Sequence, residues 1–276
     1  MFSNPLAPPH DRRLLSSFSE HFALHQCSSE TEQLAALAAA FARLPYENLT
    51  KIIKAAESTS PGEARRPPEE VFRDHLAFGT GGTCFSLTAT LLHLVRSMGL
   101  PADPILADRS YGANTHCALL VRIEGRPHLV DPGFLILRPI PLDSVGAREL
   151  SGSPPGLSLV RQPGTANLDL YSLHPGRRAY RLTYKTKPVD AGEFLRVWDE
   201  SFGWDMMRYP LLAGIRDSCQ FYLRGKFFQV RTGQALQRAG VASGDLTAHI
   251  SSQFRIDPSV VSRALSILKD QGEPYG

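Results

Sequence analysis

The sequence predicts an α+β protein, in which helices come first, an antiparallel β region follows and a mixed α/β segment comes last. Three observations support this class. Apolar residues recur at helical spacing before Pro101, the pattern changes to a period of two after it, and roughly the last forty residues return to helical spacing. Strands grouped apart from helices are typical of α+β folds and differ from the regular alternation of a doubly wound sheet.

The first part of the chain is predicted to be helical over residues 14–41 and again around residues 71–76. Residues 58–68 hold three prolines, a glycine and alternating charges, so an exposed loop is predicted there. The strongest helix signal follows the glycine cluster at 79–82, with Thr83 as N-cap and Gly99 as terminator. Its expected core face consists of Leu87, Leu91, Val95 and Met98.

The middle of the chain is predicted to be antiparallel β structure. Residues 117–123 alternate as in a strand, and Glu124-Gly125 turns this strand back into residues 128–130. Further strand pairs are predicted for 168–173 with 180–184 and for 221–223 with 227–230. Residues 151–164 are rich in Gly, Pro and Ser and are predicted to be irregular. The clearest late helix covers residues 259–268.

Composition narrows the classes of function. The chain has 276 residues, of which 42% are hydrophobic and 21% charged, as expected for a compact folded protein. Its net charge of +3 is dispersed, without a basic stripe, so no nucleic-acid partner is expected. The N-terminus lacks a charged and an apolar targeting region, and no window is long and apolar enough for a membrane span. We therefore expect a cytoplasmic protein that does not enter a membrane.

The four cysteines are Cys27, Cys84, Cys117 and Cys219. They lack paired C-x-x-C spacing and are too few for a disulfide scaffold, so each is expected to be a free thiol. The only near neighbours of metal-binding type, His116 and Cys117, would point to opposite faces of a strand. No metal site is therefore predicted.

Cys84 lies where the glycine-rich turn enters the long helix. The positive end of the helix dipole and the free N–H groups of the first turn favour a thiolate there, so Cys84 is a candidate nucleophile. Gly81 and Gly82 allow the close backbone approach that a tight entry needs. The alternative is that Cys84 is simply a small buried residue at the base of an apolar helix.

His116 and Asp131 are the candidate base and the carboxylate that orients it. If Glu124-Gly125 is a two-residue turn, Asp131 lies opposite Ala118, one diagonal step from His116 on the same face of the sheet. Such neighbours are within about 7–8 Å, close enough for a hydrogen bond. A four-residue turn would place Asp131 opposite Leu120 and out of reach. Taken singly, each residue also has an ordinary role, as a solvent-facing histidine and as a strand terminator.

These residues and their surroundings resemble the arylamine N-acetyltransferase family. The resemblance rests on four stretches in matching order and spacing, which are 44–49 (LPYENL), 81–84 (GGTC), 115–121 (THCALLV) and 128–134 (HLVDPGF). It is clear over about residues 34–134, whereas the remainder agrees only in its succession of strands and a closing helix. The chain is thus identified as a divergent member.

The resemblance implies an N-terminal helical bundle, an antiparallel β-barrel and a C-terminal α/β lid, with a cysteine-protease-like Cys-His-Asp arrangement. We place these at residues 1–105, 106–190 and 191–276. It further implies ping-pong transfer of an acyl group, normally acetyl, from coenzyme A through a thioester on Cys84 to a small-molecule amine such as an arylamine or hydrazine. His116 and Asp131 complete the implied catalytic triad, and no metal is involved.

Four positions depart from the family pattern, and three of them lie beside the cysteine. Thr80 stands where an arginine is usual, and Ser86 and Thr88 stand where glutamate and asparagine are common. Losing a cation and a carboxylate together suggests that one internal ion pair was removed as a unit. Leu135 follows Phe134 where a glycine is often found, so the floor of the site is expected to be reshaped.

Three alternative functions stay open at the level of the sequence. The first is an amide synthase that takes its acyl chain from an acyl carrier protein in natural-product biosynthesis. The second is a papain-like or transglutaminase-like cysteine hydrolase, because the same Cys-His-Asp logic occurs on unrelated folds. The third is a catalytically silent binding homologue, suggested by the departures at Thr80 and Ser86.

Overall fold

The computed structural model describes residues 4–25, 27–134, 136–144, 147–150, 156–174, 176–217, 219–233 and 235–275. Within these residues the chain combines helices with two antiparallel sheets, which confirms the α+β class. It divides into two compact units. The first comprises Met1–Pro5, Arg43–Thr90 and Trp198–Gly276, and the second comprises Leu6–Ala42 and Leu91–Val197. The three predicted domain ranges stay a prediction.

The helices and strands are labelled in chain order. The helices are α1 (Arg13–His21), α2 (Glu30–Phe41), α3 (Leu49–Glu57), α4 (Pro61–Ala64), α5 (Pro68–Phe78), α6 (Cys84–Ser97), α7 (Ala191–Glu200), α8 (Leu246–Phe254) and α9 (Pro258–Asp270). The strands are β1 (Tyr46–Glu47), β2 (Ala102–Arg109), β3 (Gly112–Ile123), β4 (Arg126–Asp131), β5 (Ile136–Pro141), β6 (Ala147–Leu150), β7 (Leu157–Arg161), β8 (Leu168–His174), β9 (Arg177–Tyr184), β10 (Leu211–Arg216), β11 (Cys219–Arg224), β12 (Phe227–Thr232) and β13 (Ala235–Gly240).

The first unit is built on a five-stranded sheet in the order β1-β10-β11-β12-β13. Helices α3, α8 and α9 supply the other half of its core, since apolar side chains from strands and helices form one buried cluster. Its completely buried members are Leu49, Leu212, Leu223, Leu246, Ile250, Val261, Ala264 and Leu268. The short strand β1, which lies within the stretch 44–49, forms one edge of this sheet.

The second unit contains an eight-stranded sheet in the order β5-β4-β3-β2-β9-β8-β7-β6. The sheet curls into a half-barrel, which meets part of the barrel prediction. One face carries the core of this unit, including Ile105, Ala107, Ala118, Leu120, Leu129, Leu170, Leu182 and Tyr184. Ala118 and Leu120 alternate with residues on the opposite face, so His116 shares the core-facing side of β3.

The turn between β3 and β4 has two residues, as predicted. Ile123 pairs with Arg126, and Leu119 pairs with Val130. Glu124 and Gly125 have φ values of 49° and 76°. Positive φ at both central residues is what a type I′ hairpin requires, and glycine adopts it at little cost. The register therefore places Asp131 opposite Ala118.

Helix α6 also follows the prediction. It begins at Cys84, and the carbonyl oxygen of Thr83 accepts the N–H of Leu87 at 3.0 Å, as an N-cap residue should. Beyond Ser97 the chain turns at Gly99, whose φ is 91°. Leu87, Leu91 and Val95 are buried, and Met98 is partly buried.

Two predictions for the helical part of the chain were wrong in part. Residues 14–41 form two helices, α1 and α2, because a new helix starts where Ser29 accepts the N–H of Glu32. Residues 58–68 are not simply an exposed loop. Ser60 caps α4, which starts with Pro61, and Arg66 is buried.

The strand β7, Leu157–Arg161, lies within the stretch predicted to be irregular, of which residues 151–155 lie outside the described residues. Strand β2 was not predicted. Four of its consecutive residues are buried, so the sequence of this strand lacks alternation. None of the helices in the described part of the chain has both the length and the apolarity needed to cross a membrane.

Candidate active site

The predicted nucleophile, Cys84, is the first residue of α6 and belongs to the first unit. The residues before it, 80–83, are here called the nucleophile loop. Gly81 has no room for a side chain, and a side chain at Gly82 would require the Ser86 hydroxyl to move. A Cβ on Gly81 would lie 1.9 Å from the carbonyl oxygen of Pro45, and one on Gly82 would lie 2.3 Å from Ser86 Oγ. Close packing thus explains the glycine pair.

The nucleophile loop is hydrogen-bonded to the stretch 44–49. Gly82 donates its N–H to the Pro45 carbonyl at 3.3 Å and accepts the N–H of Glu47 at 3.0 Å. Gly82 also forms an isolated parallel β-bridge with Tyr46. Two of the four sequence motifs, 44–49 and 81–84, are therefore in direct contact. The first supports the backbone that leads to Cys84.

The positions that depart from the family pattern are buried and uncharged. Thr80 is 1% exposed and Ser86 is 4% exposed. Ser86 donates its hydroxyl to the Thr83 carbonyl oxygen at 3.1 Å. Neither position holds an isolated charge, as expected if a cation and a carboxylate were replaced together. Leu135 lies outside the described residues, so the expected change in the site floor stays a prediction.

His116 and Asp131 lie in the second unit and are in direct contact. His116 Nε2 is 2.6 Å from Asp131 Oδ2, and both side chains are buried. An ionised carboxylate only accepts hydrogen bonds, so Nε2 carries a proton and Nδ1 is left to accept one. The pair thus has the arrangement in which a carboxylate sets the tautomer of an imidazole.

Tyr184 completes this pair and was missed by the sequence reasoning. Its hydroxyl donates to Asp131 Oδ2 at 2.7 Å. Tyr184 lies near His116 and Asp131 because of the strand register. Ala107 of β2 pairs with Tyr184 on one side and His116 on the other, so only a small residue separates the two rings. Burial is the main cause, and the nearby Asp131 charge the second, of a Tyr184 pKa well above its ordinary value. The hydroxyl therefore stays protonated and can donate its hydrogen bond.

Other side chains enclose the imidazole. The Phe134 ring meets His116 edge to face, with ring centroids 4.8 Å apart at 81°. A guanidinium nitrogen of Arg109 lies 3.4 Å from His116 Nδ1. Gly133 is close enough that a Cβ there would lie 3.2 Å from Asp131 Oδ1. The stretch 128–134 therefore supplies both the carboxylate and part of its enclosure.

Replacing Tyr184 by phenylalanine is expected to lower the free energy of unfolding by about 1–2 kcal/mol at neutral pH, because a buried hydrogen bond to a carboxylate is lost. Above pH about 10, the unfolded wild-type chain releases the Tyr184 proton whereas the folded protein retains it. The free energy of unfolding of the wild type then falls as the pH rises, so its difference from that of Tyr184→Phe should become smaller.

Urea unfolding of both proteins at pH 7 and above pH 10 measures this gap. Tyr180→Phe is a matched control on the same strand, since the Tyr180 side chain is exposed. It should change stability by less than about 0.5 kcal/mol. A gap for Tyr184→Phe that is constant over the whole pH range would contradict the assigned donor role.

The structure thus brings two of the three predicted site residues into contact, His116 and Asp131. Cys84 belongs to the other unit. All four cysteines are free thiols, as predicted. Among the residues that the structure describes, no three His, Cys, Asp or Glu side chains are grouped so that they could hold a metal ion.

No family model matches the sequence, and no curated protein is significantly similar to it. Solved structures, in contrast, match closely in fold. The arylamine N-acetyltransferase from Mycobacterium abscessus superposes with a TM-score of 0.78 at 16% identity, covering 95% of this chain and 99% of that one. The Mycobacterium smegmatis arylamine N-acetyltransferase gives a TM-score of 0.75 at 19% identity, covering 92% and 98%.

A third match is the arylamine N-acetyltransferase NAT3 from Bacillus cereus, described as having a unique Cys-His-Glu catalytic triad. Its TM-score is 0.70 at 15% identity, covering 89% of this chain and 99% of that one. The chain therefore has the arylamine N-acetyltransferase fold. The predicted resemblance is confirmed at that level, and the low identities agree with a divergent sequence.

Proposed function

We propose that this protein is an acyltransferase that moves an acyl group, normally acetyl, from a coenzyme A thioester through a Cys84 thioester to an amine. The acceptor is an arylamine, a hydrazine or a related small molecule. The observation that carries the proposal is the buried hydrogen bond between His116 and Asp131 in a chain with the arylamine N-acetyltransferase fold. In this proposal Cys84, His116 and Asp131 act together as the catalytic triad.

The first half-reaction loads the enzyme. His116 first takes the thiol proton of Cys84, which leaves a thiolate and an imidazolium. The Cys84 thiolate attacks the carbonyl carbon of the donor thioester, and the bond from that carbon to the coenzyme A sulfur breaks. The protonated imidazole of His116 gives its proton to the departing sulfur. The helix N-terminus at Cys84 favours the thiolate, and the Asp131 carboxylate favours the imidazolium.

The second half-reaction transfers the acyl group from Cys84 to the acceptor amine. The acceptor nitrogen attacks the carbonyl carbon of the enzyme thioester, His116 takes a proton from that nitrogen, and the bond to Cys84 Sγ breaks. An amide is released and the thiolate is restored. Asp131 stays ionised throughout, since its role is to hold the ring of His116 and stabilise its positive charge.

The names of the superposed structures support this choice over a cysteine hydrolase. The superposed structures are named as N-acetyltransferases, and the one from Bacillus cereus is described with a cysteine and a histidine in its triad. The Tyr184 hydroxyl adds a second hydrogen bond to Asp131, which holds that carboxylate in place for either chemistry. A donor carried on an acyl carrier protein would serve the same two steps.

The test is to mix the purified protein with acetyl-CoA and measure its intact mass after rapid desalting. We expect one added acetyl group, located on Cys84 by peptide mapping. Addition of an arylamine or hydrazine should then remove the acetyl group and release the acetylated amine. Longer acyl-CoA thioesters and an acylated carrier protein, tested in parallel, separate a coenzyme A donor from a carrier-protein donor.

The proposal fails if none of these thioesters labels the protein. Turnover of peptides or glutamine side chains without an acyl adduct would instead establish a cysteine hydrolase. The rate of iodoacetamide alkylation tests the alternative of a catalytically silent binding homologue. An activated Cys84 should react much faster than Cys27, Cys117 or Cys219. Equal, slow labelling of all four would indicate a binding protein without catalysis.

A further inference from the structure

The nucleophile loop is held by a buried arginine that lies outside the four sequence motifs. The Arg66 side chain is 3% exposed. One nitrogen of its guanidinium donates to the Gly81 carbonyl oxygen at 2.6 Å and to Thr50 Oγ1 at 2.8 Å. The other terminal nitrogen donates to Asp74 at 2.9 Å. The planar guanidinium thus binds loop backbone and helix side chains at once, which a single ammonium group does not.

Three carboxylates surround this guanidinium. Besides Asp74, Glu47 lies 3.8 Å and Glu70 lies 3.7 Å from its nitrogens. Glu47 is fully buried and also accepts the backbone N–H of Thr50 at 2.9 Å. A buried carboxylate is stable only with a cation or several donors close by. Arg66 therefore neutralises these acidic groups with the same guanidinium that binds the nucleophile loop.

Consecutive loop residues are each held by a different partner. His75 Nδ1 lies 2.9 Å from the Thr80 carbonyl oxygen, Arg66 binds the Gly81 carbonyl, and Gly82 bonds to the backbone of 45–47. Cys84 follows two residues later. The path of the backbone into α6, and with it the direction of the thiol, depends on these contacts.

We propose that Arg66 is a positioning residue for the Cys84 nucleophile. It fixes the Gly81 peptide and offsets the negative charge of Glu47 and Asp74 at the start of α6. The inference rests on the proposed function, in which Cys84 attacks as a thiolate. Without Arg66, the Gly81 carbonyl loses its hydrogen bond. The carboxylates of Glu47 and Asp74 are then uncompensated, and their negative charge disfavours a thiolate at Cys84.

The charges that face Arg66 come from two elements. Glu47 lies on β1, and Glu70 and Asp74 lie on α5. Lys54 of α3 pairs with Glu70 at 3.1 Å, and Arg73 pairs with Asp74 at 3.1 Å. His75, also on α5, contacts the Thr80 carbonyl oxygen. The measurement covers pH 7.5 to 9.5.

The test measures the rate of iodoacetamide reaction at Cys84, by peptide mass spectrometry, over that pH range. For Arg66→Met we expect about tenfold slower alkylation at pH 7.5 and a pH midpoint about one unit higher, as for a carboxylate left without its cation. Arg66→Lys keeps the positive charge but loses the planar guanidinium with its several N–H donors. It should leave the midpoint near that of the wild type and slow alkylation about threefold or more.

Arg65 provides the matched control. It is adjacent in sequence and pairs with Asp199 through both carboxylate oxygens, so Arg65→Met removes a similar ion pair. It should leave the Cys84 rate within a factor of about two. If Arg66→Met does not fold, as judged by circular dichroism, Arg66→Lys decides the question. Rates within a factor of about two of wild type in the folded Arg66 variants would overturn the proposal.

Alkylation needs no acyl donor, so this experiment separates the two proposals. A wild-type protein that forms no acyl adduct counts against the proposed function alone. A wild-type protein that forms the adduct, with Arg66 variants that alkylate as fast as it does, counts against the positioning role alone.

Discussion

Replacing Cys84 by alanine is expected to abolish acyl transfer, lowering the rate of amine acetylation by roughly 10⁴-fold or more. The enzyme loses the only atom that carries the acyl group in the proposed mechanism. Cys84 is 7% exposed at the start of α6, and alanine is smaller and favours helix. The fold should therefore survive, at a cost of about 1 kcal/mol from the lost sulfur contacts.

Steady-state acetylation of an arylamine and intact mass after exposure to acetyl-CoA both measure this effect. Cys219→Ala is the control, because Cys219 is a partly buried thiol on β11, close to Thr232 Oγ1. That variant should keep wild-type activity within about twofold. An acetyl group that still appears on Cys84→Ala protein would show that another residue is the nucleophile.

Replacing Asp131 by asparagine is expected to lower the transfer rate by about 10³-fold or more, while the protein stays folded. Asp131 Oδ2 accepts from both His116 Nε2 and the Tyr184 hydroxyl. An amide oxygen in the same place still accepts both hydrogen bonds, but the negative charge that stabilises a protonated His116 is gone. The equivalent substitution of aspartate by asparagine in Ser-His-Asp enzymes has an effect of at least this order.

The measurement is kcat/KM for acetyl-CoA with a saturating arylamine, together with thermal unfolding of both proteins. Asp169→Asn is the matched control, since Asp169 is also a carboxylate on a strand of the eight-stranded sheet and accepts from Thr183 at 2.6 Å. Its activity should change by less than about threefold. A similar loss in both variants would assign the effect to the sheet and not to the charge on His116.

Much of the site was predictable because its information is local. The helix that begins at Cys84 is preceded by a cap residue and two glycines, and these signals act over a few residues. The contact between His116 and Asp131 depended on one turn, and Glu124-Gly125 has the composition of a two-residue hairpin. Once that turn is known, strand alternation alone places both side chains on one face.

Two residues that complete the candidate site were not predictable in this way. Tyr184 reaches Asp131 across 53 positions in sequence, through the pairing of β9 with β2, and β2 shows no alternation because it is largely buried. Arg66 stands in a proline-rich stretch that has the composition of an exposed loop. Its burial results from carboxylates and a carbonyl contributed by other elements, to which no local pattern points.

The sequence by itself determined the α+β class, the helix start at Cys84 and the hairpin that joins His116 to Asp131. Each of these follows from spacing and turn chemistry within a short stretch. The tertiary structure alone decided which long-range neighbours surround them, namely Tyr184 on Asp131 and Arg66 on the nucleophile loop. Burial and hydrogen bonding between distant segments depend on how strands pair and helices pack, and a periodic pattern does not specify its partner.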